Sequence, residues 1–251
     1  MSLLVEWRNG HENLLDAEIC LFSLPGVGNI GKVAIDALNT ANDAIEIARI
    51  HHTALPPLAI LDQDGLLSPP HLSLMAIPIN GGKHILTLTG TSQPLEPNNQ
   101  GVMAREILSL LQNHNISELV VLAGMIDDAA RKEIFIVPSS SAYRVDLESR
   151  GANVRRDEPS SGAIGLAALL SSLGPVYHIN SACAIATTVG ASEDIIAAQR
   201  LLTSIDEWFG LNLVIPKDAD KKLVERLKQI SPQQNGDLVS ELTQTHDAFY
   251  M

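Results

Sequence analysis

The chain has 251 residues, enough for one large α/β domain with at most a small appendage. Apolar residues make up 45%, yet polar residues interrupt every apolar run well before the ~18 a bilayer span needs, which excludes a disordered or membrane-spanning chain. With 17 Lys and Arg against 29 Asp and Glu, the formal net charge is −12, which repels nucleic acid and anionic lipid unless positive charge is concentrated locally.

The opening residues, MSLLVEWRNG, have neither a basic n-region nor a long apolar run, so a cytoplasmic chain without a signal peptide is expected. Residues 19–24 (ICLFSL) predict a buried strand. Residues 29–39 predict a helix with Ile30, Val33, Ala34, Ala37 and Leu38 on one face. Residues 45–50 predict a second strand, and the pairs Pro56-Pro57 and Pro69-Pro70 mark a loop-rich stretch. Residues 72–79 and 83–88 flank Asn80-Gly81-Gly82, a hairpin pattern. Residues 103–111 read as helix, and 119–123 and 134–137 as strands. Residues 160–173 predict a helix from a Ser160 cap to Gly174-Pro175, with a further strand at 176–179. A long helix follows, with Ile195, Ala198, Leu202, Ile205 and Phe209 on one stripe, and a last helix is expected near residues 218–229. Strands alternating with helices, plus one hairpin, predict an α/β sandwich with a mixed sheet.

The segment from Leu24 to Lys32 (LPGVGNIGK) follows a strand and opens a helix. Gly26, Gly28 and Gly31 satisfy the dinucleotide spacing G-x-G-x-x-G, and Gly26 to Lys32 satisfies most of a phosphate-binding loop. In either motif, glycines let backbone amides approach phosphate at a positive helix end. Val33 stands where a phosphate-binding loop needs Ser or Thr for Mg²⁺. The second strand begins, rather than ends, near an acidic residue, Glu46. These departures favour a tight strand-to-helix turn over an anion loop formed by Gly26, Gly28, Asn29, Gly31 and Lys32.

Other groups read as structural. Cys20 and Cys183 lack metal-ligand spacing and lie in apolar stretches. His51 and His52 are adjacent on a strand and point to opposite faces. Ser92 and Ser139–Ser141 fit turn chemistry, and Asp127-Asp128 a solvated turn. Arg144, Arg150, Arg155 and Arg156 are followed at once by Asp157 and Glu158, the pattern of a solvated loop. No catalytic residue, cofactor or metal is indicated.

The segment LPGVGNIGKVAIDAL is similar to the N-terminal signature of the proteasome assembly chaperone family, specifically the archaeal and bacterial homologues of its second eukaryotic subunit. Further landmarks follow in the family's order: ILTLTGTSQP, ELVVLAGM, SSGAIGLAALL, and Cys183 through TTVGASEDIIAAQRLLTSIDEWFGLNL. Thr187-Thr188 and Asp194-Ile195 depart from the acidic Glu-Thr and the Asp-Pro that relatives carry there. The resemblance implies a three-layer α/β/α sandwich with a mixed central sheet, similar to nucleoside phosphorylases, and a chaperone of the core proteasome. The competing class is a nucleoside-type hydrolase or phosphorylase with a cleft near residues 26–32 and 90–93.

Residues 1–230 are expected to form the chaperone-like domain and residues 231–251 a tail. Pro232 and Gly236 interrupt helix, no Lys or Arg follows Lys228, and the sequence closes on Phe249-Tyr250-Met251. This ending resembles the hydrophobic-Tyr-X motif of proteasome regulators, which inserts into pockets between subunits of the α-ring. A homo-oligomer, with a tetramer favoured, would present several such tails at once.

Overall fold

The computed structural model describes residues 3–61, 65–160, 162–190 and 193–216. The chain enters through β1 (Leu3–Trp7), β2 (Ala17–Ser23), α1 (Ile30–Ala41) and β3 (Ile45–His52). A two-strand ribbon, β4 (Ile60–Leu61) with β5 (Leu67–Ser68), precedes the hairpin of β6 (Leu72–Pro78) and β7 (His84–Gly90). Next come α2 (Pro97–Asn113), β8 (Glu118–Ile126), β9 (Ile134–Pro138) and α3 (Ser141–Ser149). The described chain closes with α4 (Leu166–Leu173), β10 (Asn180–Thr188) and α5 (Ile195–Phe209).

Eight strands form one sheet in the order β1-β3-β6-β7-β2-β8-β10-β9. Its centre is parallel: β2 pairs with β7 and β8, and β8 with β10. The flanking pairs are antiparallel, so the sheet is mixed as expected. Central strands are apolar on both faces because both are covered. Cys20 and Phe22 of β2 point into one core with Met103, Ile107 and Leu111 of α2 and Leu166 and Leu170 of α4. Ile19 and Leu21 point the other way, toward Ile30, Ala34 and Leu38 of α1, Leu147 of α3, and Leu201 and Ile205 of α5. Helices therefore lie on both sides of the sheet, giving three layers.

Several expectations need correction. Ser160 caps no helix: α4 starts at Leu166, because Gly162 and Gly165 take φ of +74° and +93°, outside the helical path. Residues 176–179 hold no strand. Gly174–Tyr177 is a 3-10 turn closed by His178 in the left-handed region, and the strand begins at Asn180. The small residues of β10 (NSACAIATT) hid it, since Ala and Ser carry little strand propensity. β1 and α3 were not anticipated, and α2 begins earlier, with Pro97 in its first turn, a position that needs no backbone N–H. The helix expected near residues 218–229 and the tail lie outside the described residues.

The two histidines diverge as expected. His51 Nε2 lies 2.9 Å from a Glu6 carboxylate oxygen. His52 is buried, accepts the Ala54 N–H at Nδ1 (2.9 Å), and has Nε2 3.3 Å from Glu106. Burial lowers the His52 pKa, partly opposed by Glu106, and burial also lowers that of His71. Because the folded form disfavours the proton, the unfolded chain binds more protons once pH falls below ~6.5. This contribution to stability is therefore complete above that value and is lost as pH falls through the folded pKa. The urea midpoint is expected to drop between about pH 7.5 and pH 5.5, and His52→Gln is expected to shrink that drop.

Candidate functional site

The glycine segment ends β2 and starts α1. Gly28 takes φ +60° and Asn29 φ +49°, both left-handed, while Gly26 is extended. A Cβ on Gly31 would lie 2.2 Å from both the Leu122 carbonyl oxygen and Ser23 Oγ. One on Gly124 of β8 would lie 2.4 Å from the Val27 carbonyl oxygen. These two glycines let the start of α1 rest directly on the β8 backbone. Gly31, the third glycine of the motif, therefore has the close-packing role that the dinucleotide fingerprint also gives that position.

Several groups of the loop have partners in the protein itself. The Gly26 N–H donates to Asn29 Oδ1 (3.3 Å), and the Gly28 carbonyl accepts from the Asp194 N–H (3.1 Å). Lys32 pairs with Asp36 one turn along the helix. Burial raises the Asp36 pKa, and the Lys32 ammonium opposes that rise. In open α/β sheets, ligands occupy the crevice where neighbouring strands send their connections to opposite faces. Here that crevice lies between the ends of β2 and β7, which lead to α1 and α2. Protein groups close it: Leu24 is 8% exposed and the Gln93 side-chain amide donates to the Pro25 carbonyl. A cavity of about 190 Å³ remains between Gly26, Val27, Gln93, Gly124 and Ala167.

A larger groove, about 490 Å³ at one end, runs beneath residues 156–160 and 162–163, with Val137, Leu169, Cys183 and Ile185 on its walls. Arg131 fixes the covering segment. Its guanidinium reaches Asp127 and Glu133 at 2.7 Å and Glu158 at 2.5 Å. The hydrogen bonds to Glu158 and then Glu133 raise its pKa further above the ordinary arginine value. The wall hydroxyls are used internally: Ser139 donates to the Ser181 carbonyl (2.7 Å) and Ser171 to the Ala167 carbonyl (2.9 Å). Nothing local in the sequence marks this groove, because Arg131 and Glu158 meet across 27 positions.

Burial pushes the Cys183 and Cys20 thiols up to about 12, which keeps both protonated at neutral pH and unreactive. An aromatic disulfide reagent is expected to titrate neither thiol in the native protein at about pH 8, and both after denaturation.

The remaining candidates serve the fold. Ser140 caps α3 by accepting the Tyr143 N–H, the local role anticipated for that serine run. Arg150 pairs with Glu118 and Asp146 and stacks on Phe209. Arg155 pairs with Glu133, and Arg156 with Glu148. Among the described residues, no three His, Cys, Asp or Glu side chains gather to hold a metal ion, and no helix is long and apolar enough to cross a membrane. Phe249, Tyr250 and Met251 lie outside the described residues.

Pyrococcus furiosus PbaB, an archaeal proteasome activator, superposes with a TM-score of 0.73 at 18% identity, covering 96% of this chain and 99% of that one. Pyrococcus furiosus PbaA, an archaeal homologue of proteasome-assembly chaperone, gives 0.73 at 20% identity, covering 97% and 99%. The Mycobacterium tuberculosis proteasome-assembly chaperone homologue Rv2125 gives 0.63 at 16% identity, covering 86% and 95%. An uncharacterised protein of Methanocaldococcus jannaschii is 20% identical over 188 residues, 75% of this chain and 72% of its own. The PAC2 family model matches residues 21–234, one stretch that takes in the end of β2, the glycine turn, the parallel strands β7, β8 and β10, and α5. The chain belongs to the PAC2 family.

Proposed function

We propose that the protein is a cytoplasmic chaperone or activator of the core proteasome, a binding protein rather than an enzyme. It engages the α-ring by inserting Phe249, Tyr250 and Met251 into pockets between neighbouring ring subunits. The observation that carries this reading is a near full-length fold likeness to an archaeal proteasome activator and a proteasome-assembly chaperone homologue, in a chain that ends Phe-Tyr-Met. Capture of a terminal carboxylate together with apolar side chains is a recognised peptide-binding mode. The 21 residues from Ser231 span up to ~70 Å when extended, so the body need not touch the pocket. Several tails on one homo-oligomer raise one another's effective concentration, which turns weak tripeptide contacts into stable capture.

Co-sedimentation with purified core particles tests this reading. Full-length protein is expected in the particle fraction, and protein lacking residues 249–251 in the free fraction. Equal recovery of both would refute the tail's role.

A further inference from the structure

The helical layer on the α2 side of the sheet is uneven. Over β2 it is filled by Met103 and Ile107 of α2. Over β8 and β10 it consists of the short α4 and the covering segment, which line the groove with Gly162, Ala163, Ala167 and Ala168. Small side chains leave room there. The groove has a second end of about 580 Å³, bounded by Val27, Gly124, Met125 and Ile126, and Cys183 and Ile185 form the floor of both ends. At this second end Ile126 is 67% exposed and Ile164 94%, so apolar side chains stand in water around the opening.

The interior and the rim differ in character. The Ser172 hydroxyl donates to the Leu169 carbonyl (3.4 Å), as those of Ser139 and Ser171 donate to carbonyls of their own, so the walls offer a polar ligand atom little in exchange for water. The rim holds Asp127, Asp157 and Glu158 with Arg131 and Arg156. All five N–H donors of Arg131 are spent: Nε on Glu133, Nη1 on Asp127 and Glu158, and Nη2 on Glu133 and Glu158. Arg156 is held by Glu148 (2.7 Å). Asp157 is exposed and has no ion-pair partner among the described residues. The charge left over at the rim is therefore negative, which attracts a cation and repels an anion.

We propose that this groove is a binding site for a small hydrophobic amine. The apolar part lies on Cys183 and Ile185 beneath the covering segment, and the ammonium group sits at the rim beside Asp157 and Glu158. The volume falls within the roughly 300–1,000 Å³ of small-molecule sites, and a mostly apolar lining with few polar groups at one margin is their usual make-up. Carboxylates and phosphates are disfavoured, because Arg131 has no donor left for them and Arg156 is already paired. The inference stands apart from the proteasome reading, and its test needs no proteasome.

Isothermal titration of the full-length protein with decylamine and with decanoate, each below its micelle-forming concentration, provides that test. One decylamine per chain is expected, with decanoate binding at least about tenfold more weakly. Ala163→Phe and Ala168→Trp fill the groove from its cover and from α4. Each should weaken decylamine binding at least about tenfold while leaving the circular dichroism unchanged. Asp157→Lys, at an exposed residue, should bring the two ligands within about threefold of each other. Attraction to the acidic surface alone would survive both filling substitutions, which leave the net charge unaltered, and would overturn the proposal. So would decanoate binding as tightly as decylamine, or no saturable decylamine binding, the result expected if residues 217–251 already occupy the groove.

Discussion

Gly31→Val is expected to cost upwards of about 3 kcal/mol of stability, at or beyond the upper end of the usual range for overpacking. A new Cβ would sit 2.2 Å from the Leu122 carbonyl oxygen and 2.8 Å from the Leu122 carbonyl carbon. Ser23 can rotate away, but the β8 backbone cannot, so the start of α1 must lift off the sheet. That shift uncovers Ile30 and Ala34, both fully buried. For a chain of this size the loss corresponds to roughly 6–12 °C in melting temperature. Gly26→Ala provides the contrast: its φ of −163° suits any residue, and the nearest atoms to a new Cβ are 3.8 Å away. It is expected to change stability by less than about 0.5 kcal/mol. A thermal melt of the two variants tests the packing role of Gly31: a Gly31→Val protein that melts within about 2 °C of the wild type would contradict it.

Tyr250→Ala is expected to weaken binding of the tail to the core particle by ~30-fold or more, the scale set by an aromatic anchor worth at least 2 kcal/mol in a desolvated pocket. A buried tyrosine contributes ~150–250 Å² of contact area, more than the rest of a tripeptide can replace. Fluorescence anisotropy of a labelled peptide carrying residues 245–251, with Tyr or Ala at position 250, measures this directly. Replacing the acidic residues Asp237 and Glu241 should matter far less, because they lie about eight or more positions before Phe249 and exposed charges are screened by salt.

What could be read from the sequence was decided by how locally each feature is encoded. β2, α1, the β6–β7 hairpin, β8 and α5 each have apolar residues at a period matching one face or both, and all appear where expected. The Gly31 turn was legible as packing because Val33 and the placement of Glu46 spoiled the nucleotide motifs. Short-range rules failed elsewhere. β10 is built from Ala, Ser and Thr, and is a strand because β8 and β9 hold it on either side. α4 starts late because two left-handed glycines intervene. The Arg131–Glu158 clamp joins segments 27 positions apart and left no sequence signal. The proposed docking tripeptide, Phe249, Tyr250 and Met251, lies outside the described residues and rests on three consecutive residues of the sequence.

The proposed binding of the core proteasome through Phe249, Tyr250 and Met251 is decided by a binding isotherm of the full-length protein and its Tyr250→Ala variant against immobilised core particles. Saturable binding by the wild type is expected and, because a homo-oligomer as proposed would have all its tails weakened together, a loss exceeding the single-peptide ~30-fold. Isotherms that coincide within about two-fold, or no wild-type binding at all, would contradict it.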